Sequence, residues 1–373
     1  MQHTLLILLL AAAALLLCAF APPLLIDSDH NPTLRVHPAV ADPAPFEAAL
    51  ATVGAPTALV YDLDGGRTLF AREADTPRPP ASLTKLMTAL LLLEGGSLDQ
   101  TVTIQGIDLI GGASMGLQAG EVVTLEQLLW GLLLPSGNDA AMSIGRALAG
   151  DPEQFVARMN ARAAALNLTA THFESPHGLD RDGQGSSARD LLQIALLNWQ
   201  VPLFRDIVRS ASANVAGHSL INTNELLGPM ADNPGVEVIG VKTGTTDAAG
   251  QCLIAAFTTQ GRVIFVVVMG SADRFTEVKT LYNATTARYE WFAPRAADFA
   301  ALNRMPLVDG TTHYLTGSGT PPLLLYKWQI PFVHPVRLLH NPDSATWVRG
   351  AVVGRIEWRL GAQVLATEQL VVR

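Results

Sequence analysis

The chain of 373 residues is 49% hydrophobic and 16% charged, with 25 Lys+Arg against 33 Asp+Glu for a net charge of −8. That apolar content excludes disorder for most of the chain, and the acidic balance excludes a nucleic-acid partner that needs a basic face. Cys18 lies in an apolar N-terminal run and Cys252 in a strand-like run, which implies neither a disulfide framework nor a zinc site.

Thr4 to Ile26 carries no charge over 23 residues, enough to span a bilayer, which takes ~20. Residues 1–26 therefore read as a membrane anchor or a signal peptide. Ala19-Phe20-Ala21 fits a small-x-small cleavage site, but Pro22 obstructs it; Ala39-Val40-Ala41 lies far from the apolar run, and Leu16-Leu17-Cys18 makes a poor lipoprotein box. The expectation is a retained anchor, with everything after Asp27 outside the cytoplasmic membrane. Six prolines between Pro22 and Pro45 make residues 27–44 a stiff tether.

Beyond it, ALVYD and RTLFA flank Leu63-Asp64-Gly65-Gly66 and predict a β-hairpin. Ala81 to Glu94 is predicted helical, entered after Pro79-Pro80 and left at Gly95-Gly96. Thr124-x-x-Gln127 is a capping box opening LEQLLWGLLL, which Pro135 stops. A second apolar helix follows over Asp139–Ala149, a third starts at Asp151-Pro152, and Ser187-x-x-Asp190 opens a fourth. Strands are expected at Val236–Thr245, Gln251–Phe257 and Val263–Met269. Phe275, Val278, Leu281, Tyr282, Tyr289 and Phe292 then recur at near-helical spacing. The order predicts an α/β sandwich over residues 45–297: an antiparallel sheet flanked by helices, with an inserted helical cluster. Residues 298–373 change texture to short strands and Pro/Gly turns (LLLYKWQI, VVGRIEWRL, VLATEQLVV), which reads as a small all-β domain with Trp328 and Trp358 in its core.

Three short motifs carry chemistry. Ser82-Leu83-Thr84-Lys85 places a hydroxyl and an amine one turn apart on a helix, near an N-terminus that favours negative charge. Ser136-Gly137-Asn138 sits in the break between two apolar helices, where Ser, Asn and the following Asp139 would also serve as caps. Lys242-Thr243-Gly244 puts a charge in an apolar strand, and its glycine suits close approach of another backbone or a ligand. His177 reads as a loop histidine bonded to backbone, and Cys252 as a small buried hydrophobe.

In this order, 54 and 106 residues apart, the three motifs resemble those of the penicillin-recognising serine acyl transferases. Class A β-lactamases share the spacing, but the second motif here is Ser-Gly-Asn. Glu174, near where those enzymes carry a deacylating Glu, lacks its Glu-x-x-Leu-Asn context. Thr171–Asp180 (THFESPHGLD), Gly185–Asp190 (GSSARD) and Asn222–Leu227 (NTNELL) are instead similar to D-alanyl-D-alanine carboxypeptidases, the low-molecular-mass penicillin-binding proteins, over about Pro45 to Phe292. The resemblance implies a serine-type carboxypeptidase without metal or cofactor, acting on peptidoglycan stem peptides ending in D-Ala-D-Ala and acylated by β-lactam antibiotics. Ser82 would be the nucleophile, Lys85 its base, Ser136 the proton relay and Asn138 the residue that positions Lys85. Backbone N–H groups of Ser82 and Thr245 would form the oxyanion hole. Lys242, Thr243, Gly244 and Thr245 would receive the terminal carboxylate, with Arg274 as a supporting cation. An arginine that some members carry in the Asn-x-Asn segment is here Thr223. A DD-endopeptidase, a weak β-lactamase and a penicillin-binding scaffold without turnover are the alternatives. The family often ends in an amphipathic membrane helix. The strand-like run ending at Arg373 is not one, which favours the N-terminal anchor and an extracytoplasmic location.

Overall fold

The computed structural model describes residues 44–295, 303–306, 310, 312–340 and 347–373. The expected anchor, Cys18 and the tether up to residue 43 lie outside them. Among the described residues, no helix is long and apolar enough to cross a membrane. The chain divides into two compact units, one ending at Ala287 and one over Arg288–Arg373.

The first unit runs α1 (Ala44–Ala51), β1 (Thr57–Asp62), β2 (Arg67–Arg72), a 3-10 turn (Ala81–Thr84) leading directly into α2 (Lys85–Gly95), β3 (Thr101–Thr103), β4 (Val122–Thr124), α3 (Leu125–Leu133), α4 (Asn138–Ala149), α5 (Pro152–Ala165), α6 (Ala188–Trp199), α7 (Pro202–Arg209), β5 (Ser212–Val215), β6 (His218–Ile221), β7 (Gly228–Pro229), β8 (Val236–Thr246), β9 (Gly250–Thr259), β10 (Arg262–Ser271) and α8 (Arg274–Thr286). One antiparallel sheet holds it together, in the order β2-β1-β10-β9-β8-β7. Its central strands are apolar on both faces, as burial between two helical layers requires. On one face Phe265 meets Trp199 of α6 edge-on, with ring centroids 5.2 Å apart. On the other Phe257 stacks on Tyr282 of α8 at 4.3 Å. The helical cluster α2–α7 follows β2 and returns to the sheet at β7.

The local signals act as their chemistry predicts. Thr124 Oγ1 accepts from Gln127 N, and Gln127 Oε1 accepts from Thr124 N. Asp151 caps α5 with Pro152 at its first position. At α6 only half of the expected box forms. Ser187 Oγ accepts from Asp190 N, but the Asp190 carboxylate, one atom shorter than Glu, turns to Ala170 N and Thr171 Oγ1.

The second unit contains β11 (Tyr289–Phe292), β12 (Arg304–Pro306), β13 (Thr312–Gly317), β14 (Leu323–Tyr326), β15 (Val333–Leu339), β16 (Val352–Leu360) and β17 (Gln363–Val372). One sheet runs β12-β13-β17-β16-β15, and β11 pairs with β14. Two expectations need correction here. The helix after β10 stops at Thr286, and Tyr289–Phe292 is a strand because it finds a partner in Leu323–Tyr326, with Tyr289 stacked on Tyr326 at 4.4 Å. The unit accordingly starts ten residues before the boundary read from composition. Trp328 is 43% exposed, in the turn that ends the LLLY strand; Trp347 and Trp358 fill the core instead.

Helix α8 brings Arg274 to the sheet and is fixed by Glu277, whose buried carboxylate accepts from Gly54 N (2.9 Å) and Ala55 N (3.1 Å) just before β1. Glu277→Ala orphans both donors and is expected to lower the unfolding free energy by about 2–3 kcal/mol. An unchanged urea midpoint would contradict this anchoring role.

Candidate active site

Four chain segments converge on the 3-10 turn that carries Ser82: α2, the start of α4, the loop around His177, and the second half of β8. Ser82 is half-buried and Lys85 is fully buried at the start of α2. Lys85 Nζ lies 2.9 Å from Ser82 Oγ, 2.7 Å from Asn138 Oδ1 and 2.8 Å from the His177 carbonyl oxygen. None of these three contacts is a carboxylate. A neutral amine fits the set: its two N–H groups serve Asn138 and His177, and its lone pair faces the Ser82 hydroxyl. Burial pushes the Lys85 amine well below its ordinary range, the positive charge of Lys242 adds to this, and Asp139 opposes it.

The second motif lies where the sequence puts it, but its side chains do not cap α4. The capping position is Gly137, with no side-chain bond. Asn138 Nδ2 donates to Gly111 O (2.8 Å), which turns Oδ1 toward Lys85. Ser136 has φ +65°, and its buried hydroxyl has no hydrogen-bond partner among the described residues. A side chain held in left-handed backbone without a structural bond marks a site under constraint.

Lys242 is buried on β8, with Nζ donating to Thr243 O at 3.0 Å. Burial, and next the charge of Arg274, bring its pKa down to about 7. Thr243 Oγ1 is hydrogen-bonded to Thr223 Oγ1, so the threonine of the Asn-x-Asn segment reaches the lysine motif. The two asparagines are structural: Asn222 Nδ2 donates to Val208 O and Ser210 O, and Asn224 Nδ2 to Gly240 O. Arg274 opens α8 and donates from Nη1 to Gly244 O (2.9 Å) and Thr245 Oγ1 (2.6 Å). Its buried Nε has no partner among the described residues.

Backbone proximity explains two glycines. Gly178 has φ +91°, and a Cβ there would lie 2.0 Å from Ala81 O. The His177 loop therefore runs directly beneath the serine turn, clasped by Thr88 Oγ1 donating to Pro176 O at 2.6 Å. A Cβ on Gly244 would lie 3.0 Å from Ser82 N and 3.3 Å from Leu83 N, so β8 rests against the same turn.

His177 is bonded to backbone, as expected: its Nδ1 accepts from Leu179 N. Burial chiefly brings its pKa to about 3, so the ring is neutral. Its contribution is the carbonyl that holds Lys85, which no side-chain motif reveals. Glu174, half-exposed, is engaged by His172 Nε2 at 2.9 Å. Cys252 is buried, and burial raises its thiol to about 11. Among the described residues, no group of three or more His, Cys, Asp or Glu could hold a metal ion.

The model of the peptidase S11 family, described as D-alanyl-D-alanine carboxypeptidase, matches residues 44–273. The chain belongs to this family. It is 38% identical over 242 residues to the D-alanyl-D-alanine carboxypeptidase DacA of Escherichia coli, covering 61% of this chain and 59% of that protein. With DacC of the same organism it shares 31% identity over 351 residues, covering 87% and 86%. Among solved structures it is similar to penicillin binding protein 6B from Escherichia coli (TM-score 0.65, 29% identity, 86% of this chain and 95% of that one). It is also similar to the Streptomyces K15 DD-transpeptidase (TM-score 0.57, 31% identity, 63% and 98%). The matched family region spans the sheet, the helical cluster and all three motifs.

Gly244→Ala is expected to slow covalent labelling by a fluorescent penicillin about tenfold to a hundredfold, by displacing the strand from the serine turn, while the protein still melts cooperatively at a somewhat lower temperature. Labelling at the wild-type rate would show that this close approach is not needed.

Proposed function

We propose that the protein is a serine-type D-alanyl-D-alanine carboxypeptidase that removes the terminal D-alanine from peptidoglycan stem peptides through an acyl-enzyme, and that β-lactams acylate the same serine. The observation that carries this reading is the buried Lys85 amine, poised on the Ser82 hydroxyl with only neutral oxygens around it.

Lys85 takes the proton of Ser82 as Oγ attacks the carbonyl of the penultimate D-alanine. The backbone N–H groups of Ser82 and Thr245 receive the oxyanion; one such donor is worth about 3 kcal/mol, so the fit of β8 against the serine turn matters. Ser136, whose hydroxyl has no structural bond to break, passes a proton to the departing D-alanine nitrogen as the C–N bond cleaves. Water then hydrolyses the ester and restores Ser82. Asn138 holds the substrate amide as well as Lys85. Lys242, Thr243, Gly244 and Thr245 receive the terminal carboxylate, supported by Arg274. Engagement of Glu174 by His172 supports a carboxypeptidase over a β-lactamase using that carboxylate. The unbroken set of motifs supports an enzyme over a scaffold. The apolar run Thr4–Ile26 supports an extracytoplasmic protein tethered to the membrane.

Ser82→Ala is expected to abolish labelling by fluorescent penicillin and release of free D-alanine from a pentapeptide stem, with folding intact. Label retained at another serine on peptide mapping would defeat the assignment.

The two lysines set opposite limits. Acylation needs neutral Lys85, so the rate falls as acid protonates it. Carboxylate binding needs charged Lys242, which has a pKa of about 7 in the free protein. A bound carboxylate favours the protonated form, so affinity is greatest below that pKa and is lost as pH rises through it. KM for a D-Ala-D-Ala peptide should rise toward about tenfold per pH unit above that point. The C-terminal amide should show no such rise; equal profiles would remove the carboxylate role of Lys242.

A further inference from the structure

Asp139 lies beside Asn138 on α4 but has no place in the chemistry above, although it is buried to 1% exposure and heavily engaged. Its carboxylate accepts from Ser114 Oγ, Met115 N (2.9 Å), Gly116 N (3.1 Å), Leu117 N (3.2 Å) and Ala140 N (2.8 Å). Four of these donors belong to one stretch of the Gly111–Leu117 loop, whose residues 111–114 are otherwise exposed. That loop returns two carbonyls to α4: Ala113 O accepts from Asn138 N (2.7 Å) and Gly111 O from Asn138 Nδ2 (2.8 Å).

We infer that Asp139 is a positioning residue for acyl transfer, pinning the Gly111–Leu117 loop to α4 so that the Asn138 amide presents its oxygen to Lys85. The inference rests on the acyl-transfer reading proposed above. The two ends of a carboxamide have the same shape, and only their partners choose between them. Gly111 O accepts, so it selects the NH₂ end and leaves Oδ1 for the amine. Without the loop, only the Lys85 N–H favours the oxygen end of the amide, and a neutral amine can turn its lone pair to an NH₂ group instead, which takes that lone pair away from Ser82. A carboxylate suits the task because it offers two acceptor oxygens and no donor to five hydrogen-bond donors. An asparagine in its place would turn an NH₂ group toward backbone N–H groups.

Asp139 also faces Lys85 as a charge. Lys242 from β8 disfavours the ammonium form, Asp139 from α4 favours it, and His177 from the loop beneath is neutral. Removing the carboxylate charge therefore makes Lys85 easier to keep neutral, and the acid limb of the rate profile moves to lower pH. Loss of packing alone would not move it.

The test is the rate of acylation of the full chain by fluorescent penicillin as a function of pH, in wild type, Asp139→Asn and Ser114→Ala. D139N is expected to lower the plateau about tenfold or more and to move the acid midpoint to lower pH. S114A keeps the charge and removes one donor, so it is expected to lower the plateau less and leave the midpoint in place. A D139N profile that keeps the wild-type plateau, or the wild-type midpoint, overturns the inference. If D139N shows no cooperative thermal transition, S114A decides: slowing beyond about twofold with a wild-type melt supports the inference, and slowing within that limit overturns it. A wild type that takes no label overturns the acyl-transfer reading and this one with it. A labelled wild type with an unmoved D139N overturns this one alone.

Discussion

A lysine amine buried without a carboxylate partner is costly as a cation, and the site is arranged around that cost. Nζ of Lys85 touches a hydroxyl, an amide oxygen and a peptide oxygen. An ammonium group in that place would pay desolvation with no ion pair to offset it. The neutral form is favoured by burial first and by the nearby charge of Lys242 second. A free amine beside a serine hydroxyl is a base, so the same burial that disfavours the charge creates the reactivity.

Keeping the amine in place requires the three oxygens to be held from outside. Ser82 stands on a 3-10 turn at the head of α2, with Ala81 before it at φ +50°. Asn138 is oriented by the Gly111 carbonyl. The His177 carbonyl comes from a loop whose other ties run to α2 through Thr88 and to the end of β8, where Asp180 accepts from Thr246 Oγ1 and Ala248 N. These holders belong to segments far apart in the chain, so the geometry exists only when helical cluster and sheet are both formed. Strained backbone at Ala81 and Ser136 is tolerated because the surrounding packing over-determines it.

The sheet supplies the other half. Its central strands are covered on both faces, which makes the second half of β8, beyond its short pairing with β7, a rigid border on which Lys242, Thr243 and Thr245 stand in fixed register against β9. Burial first, and the nearby charge of Arg274 second, bring the pKa of Lys242 down to about 7. Arg274 reaches the strand because Asp273 caps α8 and Glu277 ties that helix to the chain entering β1.

Much of this was written locally. The hairpin at Asp64–Gly66, the capping box at Thr124, the proline entry at Pro152 and the apolar strands of the sheet follow from short-range patterns. So do the three motifs, because a serine and a lysine one turn apart, or a lysine in an apolar strand, are visible as exceptions to such patterns. What sequence alone could not supply was each feature that depends on a distant partner. Tyr289–Phe292 continues a helical spacing, yet pairs with Leu323–Tyr326 as a strand. Trp328 is aromatic like Trp358, but only the strand carrying Trp358 turns its ring inward. Asp139 reads as one more capping residue until the Gly111–Leu117 loop is seen across from it. The His177 and Gly111 carbonyls carry no side-chain signature at all. Composition and periodicity determined the elements, because these depend on neighbours within a turn or two, and the order of the three motifs, with the resemblance it carries, pointed to Ser82, Lys85, Ser136, Asn138 and Lys242. Tertiary structure alone decided which oxygens surround the amine, and hence its charge, because desolvation and hydrogen-bond direction depend on atoms that folding brings from elsewhere in the chain.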